Sequence, residues 1–204
     1  MSINKGIFGN ESAFDERFID DYGKLQELAA HWKAIGIKIV LTSGSWDMIH
    51  EGHALYLEQA KEYGDLLVVG VDSDEKIRKR KGPDRPIVPE HERLRMLTHL
   101  RAVDVVALKN VSYEKWALIK AIRPDVLVAT RETYTDDEID ELQRLYCKEV
   151  VVHPPMATTS TSARLRLVQM GLATKLSVRL AEKLPAIIQE LITGEVTPEK
   201  RNRG

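Results

Sequence analysis

Two histidines three residues apart follow a run of apolar, β-branched residues, and they are the side chains in this sequence best suited to chemistry. The run IKIVLT is followed by SGSWDMIHEGH, which contains His50 and His53. A helix opening near Glu51 would place both imidazoles beside its N-terminus, where free N–H groups and the helix dipole favour an anion. A turn around Gly44 lets the backbone approach a ligand closely. The stretch therefore predicts a phosphate site at which two imidazoles donate hydrogen bonds.

Two other roles are open to the histidine pair. Zinc ligands of the H-E-x-x-H type need i and i+4 spacing with the glutamate as base, and here one residue fewer separates Glu51 from His53. Capping or core histidines would need no ligand, and that is the ordinary role of an isolated pair. The order of strand, glycine turn and helix favours the phosphate site over both.

A second cluster, TTSTSAR from Thr158 to Arg164, opens a further predicted helix that runs to Met170 and ends at Gly171. Hydroxyl side chains at a helix start are in most proteins simply N-caps. A run of hydroxyl residues followed by an arginine in the first turn exceeds what capping requires.

The third cluster is the basic segment KIRKRKGPDRP, from Lys76 to Pro86, which contains Asp84 as its only acidic residue. Such a charge run is usually a solvated face, and a basic loop can also contact nucleic acid. The near-neutral chain and the lack of interleaved aromatic residues argue against an extended nucleic-acid surface.

The stretch GSWDMIHEGH resembles the H-x-G-H signature of the small nucleotidyltransferases, in which a G-x-F-D turn precedes two histidines. That family includes glycerol-3-phosphate cytidylyltransferase and the adenylyltransferase domain acting on heptose 1-phosphate. The likeness covers roughly Ile37 to Val168, and further segments similar to the heptose-phosphate enzymes are YLEQAKEYGDLLVVGVDSDE, KGPDRPIVPEHER and LRAVDVVAL. TTSTSAR is similar to the family's I-S-S-T-x-x-R segment, which holds the β- and γ-phosphates of the nucleotide.

The resemblance implies a role for each cluster. The catalytic residues it implies are His50, His53, Lys81 and Arg164. Arg164 would bind the leaving pyrophosphate, and Lys81 would bind the nucleotide phosphates or the acceptor substrate. The nucleotide-binding residues it implies are Thr42, Ser43, Gly44, Ser45, Trp46, Asp47, Gly52, Arg93, Thr159, Ser160, Thr161 and Ser162. The substrate contacts are Lys81, Arg85 and Arg131. For Arg93, a helix-surface role paired with Glu90 is the alternative.

The reaction that the resemblance implies is transfer of a nucleoside monophosphate from an NTP to a phosphorylated small molecule, with release of pyrophosphate. A phosphate monoester is largely dianionic at pH 7, so it needs no general base to attack the α-phosphorus. The site therefore has to supply positioning and positive charge. A Mg²⁺ ion carried by the triphosphate would share the charge, with Asp47 as an outer contact.

Two segments depart from the family pattern. Where the family carries a form like K-G-G-D-Y, this chain reads VATRETY from Val128 to Tyr134, which leaves base and acceptor choice open. Arg131 within it is either a phosphate or carboxylate contact or a surface residue near Glu132. The cytidylyltransferases read R-T-E-G-I-S-T before the hydroxyl run, whereas this chain reads HPPMATTSTS, which favours ATP over CTP and a sugar or polyol phosphate. Trp46 replaces the commoner phenylalanine and fills more volume beneath the turn.

Short β-branched runs alternate with amphipathic stretches, and this alternation indicates the elements that position these residues. The predicted strands are 37–41, 66–71, 103–108, 126–129 and 150–152, and the predicted helices between them are 54–63, 89–100, 113–122 and 136–146. We expect an α/β, Rossmann-like, parallel five-stranded sheet with helices on both faces, plus N- and C-terminal helical extensions. Ligands of such sheets bind at the carboxyl ends of the strands.

The two ends of the chain also read as helical. Residues 14–35 predict one or two helices with Leu25, Leu28 and Trp32 on a common face, and the tail predicts a helix from Leu172 to Ile192, interrupted by Pro185. The expected divisions are an N-terminal helical extension (1–36), a nucleotidyltransferase domain (37–170) and a C-terminal helical tail (171–204). The terminal helices either pack a homodimer or cover the core of the monomer.

The composition excludes several classes of protein. Thirty basic residues against 31 acidic ones leave a net charge of −1, so nothing attracts the whole chain to nucleic acid or an anionic membrane. The single cysteine, Cys147, cannot form an internal disulfide, which favours a reducing compartment. Acidic residues occupy the place of a signal peptide's apolar centre, and the apolar runs are only strand-sized. We therefore expect a cytoplasmic protein that binds neither nucleic acid nor membrane.

Other functions share parts of this pattern. A class I aminoacyl-tRNA synthetase has the two-histidine signature, but this chain lacks a K-M-S-K-S run and the length for tRNA-binding domains. A non-catalytic nucleotide sensor or scaffold would keep the phosphate cradle without turnover. An adenylyltransferase acting on flavin or another small phosphate would share the same fold.

Overall fold

Five parallel strands form one sheet in the computed structural model, which describes residues 13–131, 133–154 and 161–193. The strands are β1 (Ile39–Gly44), β2 (Leu66–Asp72), β3 (Val105–Lys109), β4 (Val126–Thr130) and β5 (Glu149–His153). Their spatial order is β3-β2-β1-β4-β5. The order reverses between β1 and β4, and ligands of such sheets bind beside that switch point. The predicted α/β, Rossmann-like fold is confirmed.

Helices cover both faces of the sheet. In chain order, the helices of the described residues are α1 (Phe14–Arg17), α2 (Tyr22–Ala34), α3 (Glu51–Lys61), α4 (Asp74–Lys81), α5 (Glu90–Thr98), α6 (Ala117–Ile122), α7 (Asp136–Leu145) and α8 (Thr161–Thr193). On one face α2 and α6 pack against a core that includes Leu41, and on the other α3 and α5 pack against a core that includes Val69. The predicted apolar face of α2, with Leu25 and Trp32 buried, covers the core of this chain. A homodimer stays a prediction.

Strand β1 extends further than the sequence predicts. The prediction ended at Leu41, but the backbone continues in parallel register to Gly44, which pairs with Val71 of β2. Ser43 and Gly44 therefore end the strand, and the turn begins after them. Helix α3 begins at Glu51, as predicted.

Most of helix α4 lies in the basic segment, for which the sequence pattern predicts no helix. Its only buried residue is Ile77, so it shows no apolar periodicity. Its end signals were nevertheless present. The Ser73 hydroxyl accepts a hydrogen bond from the backbone N–H of Lys76, and Gly82 ends the helix with a φ of 99°.

Helix α8 is continuous through both positions where the sequence predicts an interruption. The expected stop at Gly171 is wrong, and Pro185 lies inside the helix. The chain divides into two compact units, residues 1–158 and 159–204, so α8 belongs to the second. The predicted divisions at residues 36 and 170 stay predictions. In the described parts of the chain, none of the helices has the length and apolar content needed to cross a membrane.

Candidate active site

The loop after β1 is held by two residues in the left-handed region of backbone conformation. Trp46 and Met48 have φ values of 52° and 51°, which non-glycine residues adopt only when surrounding contacts impose them. Trp46 is 5% exposed, and its Nε1 donates a hydrogen bond to the carbonyl oxygen of Gly70 at 3.0 Å. The indole fills the space beneath the turn and fixes the loop against β2.

Asp47 connects this loop to the segment between α4 and α5. Its buried carboxylate accepts a hydrogen bond from Nε of Arg85 at 2.9 Å and forms an ion pair with the same guanidinium at 2.6 Å. It also accepts from the backbone N–H groups of Ile87 and Val88 at 3.1 and 3.0 Å. Both carboxylate oxygens are thus engaged within the protein. The predicted contacts of Arg85 with substrate and of Asp47 with Mg²⁺ stay predictions.

Arg93 lies beneath the loop and not on the surface of α5. Its side chain is 1% exposed. It donates hydrogen bonds to the carbonyl oxygens of Ser45, Asp72 and Val88 and to the carboxylate of Asp74. The alternative of a helix-surface pair with Glu90 is therefore wrong. Because its acceptors come from three stretches of the chain, namely the loop after β1, residues 72–74 and the segment before α5, Arg93 fixes the relative positions of these stretches.

Lys81, the last residue of α4, reaches the same loop. Its Nζ donates a hydrogen bond to Oγ of Ser45 at 3.0 Å. Burial lowers the pKa of Lys81, and the charges of Arg80 and Arg85 lower it further. An anion bound beside it would stabilise the charged ammonium, so a bound phosphate and a protonated Lys81 favour each other.

His50 and His53 stack on each other where α3 begins. Their ring centroids are 4.0 Å apart and their planes differ by 28°, which confirms that the two imidazoles lie together at the helix N-terminus. The backbone N–H of His50 donates to Nδ1 of His53 at 3.3 Å. A neutral His53 therefore carries its proton on Nε2, which makes Nε2 the hydrogen-bond donor of that ring.

Burial keeps His53 neutral at physiological pH. It lowers the pKa of His53 to about 4, with further lowering by the charges of His50 and Lys81. The ring is therefore a neutral donor before a ligand binds. A phosphate dianion beside it would raise that pKa, because an opposite charge favours the imidazolium.

We expect the lowered pKa of His53 to make the protein less stable in mild acid. In the unfolded chain the pKa of a histidine is about 6.5, so below that pH the unfolded state binds a proton that folded His53 does not. The free energy of unfolding should therefore fall as the pH decreases from about 6.5 to about 4. Urea unfolding at about pH 7 and about pH 5 measures this loss.

The matched variant for that measurement is His53→Gln, which removes the titrating group and keeps a polar side chain. The remaining histidines are identical in both proteins, so the variant should lose less stability than the wild type between the two pH values. Equal losses would contradict the lowered pKa.

The other predicted contacts differ in how close they come to this loop. Thr42 is buried, and its hydroxyl forms a hydrogen bond with that of Tyr56 at 2.9 Å. Gly52 lies in the first turn of α3. Arg131 is exposed on the turn after β4, and both of its possible roles stay predictions.

The phosphate contacts predicted for the hydroxyl run also remain predictions. Thr159 and Ser160 lie outside the described residues. The backbone of Thr161, Ser162 and Arg164 forms the first turn of α8, in the second compact unit.

A group of charged residues at the ends of β2 and β3 was missed by the sequence analysis. Asp72 and Lys109 are register partners at the carboxyl ends of these two strands. Each directly follows a predicted strand, at the edge of the sheet where ligands bind. That position was the signal that could have found them.

The fold and this loop define a class of protein. A parallel α/β sheet whose first strand leads through a tight loop to a helix N-terminus, beside the point where the strand order reverses, is an arrangement typical of proteins that bind nucleotides and other phosphates. A family model described as cytidylyltransferase-like matches residues 41–176. The chain belongs to the cytidylyltransferase-like family, whose domain is a nucleotidyltransferase domain.

Similar proteins agree with that assignment. The bifunctional protein HldE of Wolinella succinogenes is 40% identical over 147 residues, which cover 71% of this chain and 30% of that protein. The protein of the same name in Aliarcobacter butzleri is 36% identical over 155 residues, which cover 72% of this chain and 31% of that protein. The chain thus spans less than a third of the length of these relatives.

A solved structure shares the fold. The lipopolysaccharide core biosynthesis protein from Thermoplasma volcanium matches with a TM-score of 0.51 and 27% identity, covering 59% of this chain and 97% of that one.

Proposed function

We propose that this protein transfers a nucleoside monophosphate from an NTP, with ATP favoured and CTP possible, to a sugar or polyol phosphate. A phosphate oxygen of the acceptor attacks the α-phosphorus of the nucleotide. A new P–O–P linkage forms, the bond from the α-phosphorus to the bridging oxygen breaks, and pyrophosphate leaves with that electron pair. No proton has to be removed from a phosphate dianion for this attack.

The observation that carries the proposal is that hydrogen-bond donors of two kinds converge on one short loop. His53 keeps its donor on Nε2 because Nδ1 accepts from the backbone of His50. Lys81 reaches the same loop through Ser45. Donors fixed before the reaction stabilise developing phosphate charge without having to reorganise. We assign the histidines to the α-phosphate and Lys81 to the acceptor or leaving phosphates.

The local charge supports a polyanionic substrate. The chain as a whole has a net charge of −1. At this end of the sheet, however, basic side chains outnumber acidic ones: Lys76, Arg80, Lys81, Arg85, Arg93 and Lys109, against the carboxylates of Asp47, Asp72, Asp74 and Glu90. A local positive excess in a near-neutral protein raises the concentration of anions at that place.

Mg²⁺ would enter this site with the triphosphate and neutralise part of its charge. Among the described residues, no group of three or more His, Cys, Asp and Glu could hold a metal ion by itself. The ion would be held mainly by oxygen atoms of the nucleotide. Asp47 could be an outer contact only if it exchanges one of its present hydrogen-bond partners for the ion. The chain's own groups bind and orient the phosphates.

The relatives support a sugar phosphate as the acceptor. The protein whose solved structure shares this fold is a lipopolysaccharide core biosynthesis protein, and lipopolysaccharide cores are built of sugars. The heptose-phosphate adenylyltransferases that the sequence resembles use ATP, which is why ATP is the favoured donor here.

A panel of the four NTPs against sugar, polyol and flavin phosphates tests the proposal, with pyrophosphate release as the measurement. We expect release with one nucleotide in preference to the other three, and with a sugar or polyol phosphate in preference to a flavin phosphate. If the protein binds a nucleotide but releases no pyrophosphate from it with any acceptor, it is a sensor, and the proposal is overturned.

A further inference from the structure

Three cationic side chains surround one buried carboxylate at the carboxyl ends of β2 and β3. Asp72 is 2% exposed. Its Oδ2 lies 3.0 Å from a guanidinium nitrogen of Arg80, and its Oδ1 lies 3.6 Å from Nζ of Lys76 and 3.5 Å from Nζ of Lys109. We name these four residues the Asp72 cluster.

The Asp72 cluster has more positive charge than its single carboxylate can neutralise. Only the Arg80 contact has the length of an ordinary hydrogen bond, and the two ammonium contacts are longer. The side chains of Lys76 and Arg80 are 33% and 53% exposed, so both are open to a ligand. Burial lowers the pKa of Lys109 and the Asp72 carboxylate raises it. A further anion here would therefore stabilise the charged form of Lys109.

The Asp72 cluster adjoins the end of β1 because Gly70 leaves room above the sheet. A Cβ atom at Gly70 would lie 2.8 Å from Cδ of Lys109 and 2.6 Å from Oγ of Ser43. The stem of Lys109 and the hydroxyl of Ser43 therefore share the space over Gly70. In the described structure, Oγ of Ser43 is buried without a hydrogen-bond partner.

The cluster is also connected to the proposed transfer site through α4. Consecutive residues of a helix do not face each other, but the contacts of these two lie at neighbouring strands: Arg80 is on Asp72 at the end of β2, and the ammonium of Lys81 donates to Ser45 in the loop after β1. Neighbouring strands of a sheet are about 5 Å apart, so the ends of β1 and β2 lie within the span of one small sugar. A molecule whose phosphate lies at Lys81 can therefore present its other end to Arg80.

We infer that the Asp72 cluster binds a second anionic group of the acceptor, a carboxylate or a phosphate separate from the phosphate that attacks. This inference rests on the proposed nucleotidyl transfer and defines its acceptor as a doubly anionic sugar or polyol phosphate. Lys76 and Arg80 supply the more exposed donors, Lys109 supplies a partly buried ammonium, and Asp72 holds the three cations together.

Matched acceptors test this inference. Pyrophosphate release is measured with a hexose 1-phosphate, a hexose 1,6-bisphosphate and a hexuronate 1-phosphate, which differ in the second group. We expect one of the two doubly anionic acceptors to exceed the monophosphate in kcat/KM by about tenfold or more, through a lower KM, because charge-assisted hydrogen bonds are strong. Preference for the bisphosphate or for the hexuronate distinguishes a phosphate from a carboxylate as the second group.

Variants of α4 assign that preference to the cluster. The double variant Lys76→Gln, Arg80→Gln should reduce the kcat/KM ratio to near one, and Arg80→Lys, which keeps the charge, should retain most of it. Lys79→Gln removes one positive charge from an exposed position of the same helix outside the cluster, and it should leave the ratio unchanged. A ratio near one in the wild type, or equal ratios in the double variant and the wild type, overturns the inference.

A binding measurement separates failure of the inference from failure of the proposed function. The bisphosphate, the hexuronate phosphate and the monophosphate are titrated calorimetrically into protein that holds a non-hydrolysable ATP analogue. Tighter binding of a doubly anionic compound that the double variant loses, without pyrophosphate release, would support the anion site and overturn the transfer reaction. Release of pyrophosphate with no preference among the acceptors would support the transfer reaction and overturn the anion site. If the protein neither binds a doubly anionic compound more tightly nor releases pyrophosphate, both proposals are overturned. Thermal melting of each variant confirms that it is folded.

Discussion

Replacing His53 by alanine should lower the turnover number for pyrophosphate release by about 10²–10³-fold, the usual cost of losing one preorganised donor to a charged transition state. His53 is oriented by the backbone N–H of His50 and by the edge of the Trp46 ring, whose centroid is 5.6 Å away. Because its Nε2–H is positioned before substrate binds, the loss should appear mainly in kcat. The thermal transition should be retained, since α3 keeps its remaining contacts.

Two variants make the His53 result specific. His53→Asn keeps an N–H donor on a shorter side chain and should recover part of the rate. His99→Ala removes an exposed histidine at the end of α5, away from the loop, and should leave the rate unchanged. A His53→Ala protein with near wild-type turnover would remove the histidine pair from the reaction.

Local patterns account for most of the fold and for the core of the candidate site. Each predicted strand is a short β-branched run, and runs buried on both faces are what a parallel sheet requires. The histidine spacing predicted that His50 and His53 lie together, and they do so as the N-cap and third residue of α3, joined by a capping box in which the backbone N–H of His50 donates to His53. The stacked rings confirm it.

Helices α4 and α8 show where local patterns mislead. A helix with one buried residue has almost no periodic pattern of apolar residues. The sequence therefore indicated α4 only through its capping residues, Ser73 and Gly82. Glycine in a helix interior costs about 1 kcal/mol relative to alanine, and the residues around Gly171 outweigh that cost in α8. A glycine predicts a helix end only where the following residues cannot continue the helix.

The surroundings of Arg93 could not be predicted, because most of its partners are distant in the sequence. Apart from Val88, the acceptors of its guanidinium lie at Ser45 and in residues 72–74, which meet α5 only after the sheet has formed. The same holds for the Asp72 cluster, which combines α4 with the ends of two strands. The types and spacing of the residues indicate a phosphate site. Only the tertiary structure shows which charged side chains hold the loop in place and which are exposed to a ligand.

Replacing Arg93 by methionine should lower the free energy of unfolding by about 3–5 kcal/mol, because it removes a buried guanidinium from a partly exposed carboxylate and three backbone carbonyl oxygens. Methionine fills much of the volume but leaves the carboxylate of Asp74 and the carbonyl oxygen of Asp72 without the guanidinium. The loop after β1 loses the same support at Ser45, so kcat/KM should fall as well. Urea unfolding at pH 7 measures the first effect and pyrophosphate release the second.

Arg95→Met is the matched control, because it removes the same group from an exposed position of the same helix. Arg95 lies over the ring of Phe14, 4.6 Å from its centroid, a contact that contributes about 0.5–1 kcal/mol at exposed sites. Arg93→Lys should give an intermediate loss of stability, since one ammonium cannot reach all the acceptors that the planar guanidinium joins. If Arg93→Met and Arg95→Met cost the same, then the buried guanidinium does not hold the loop, α4 and α5 together. In that case another contact must hold Lys81 and the loop that leads to the histidines in place.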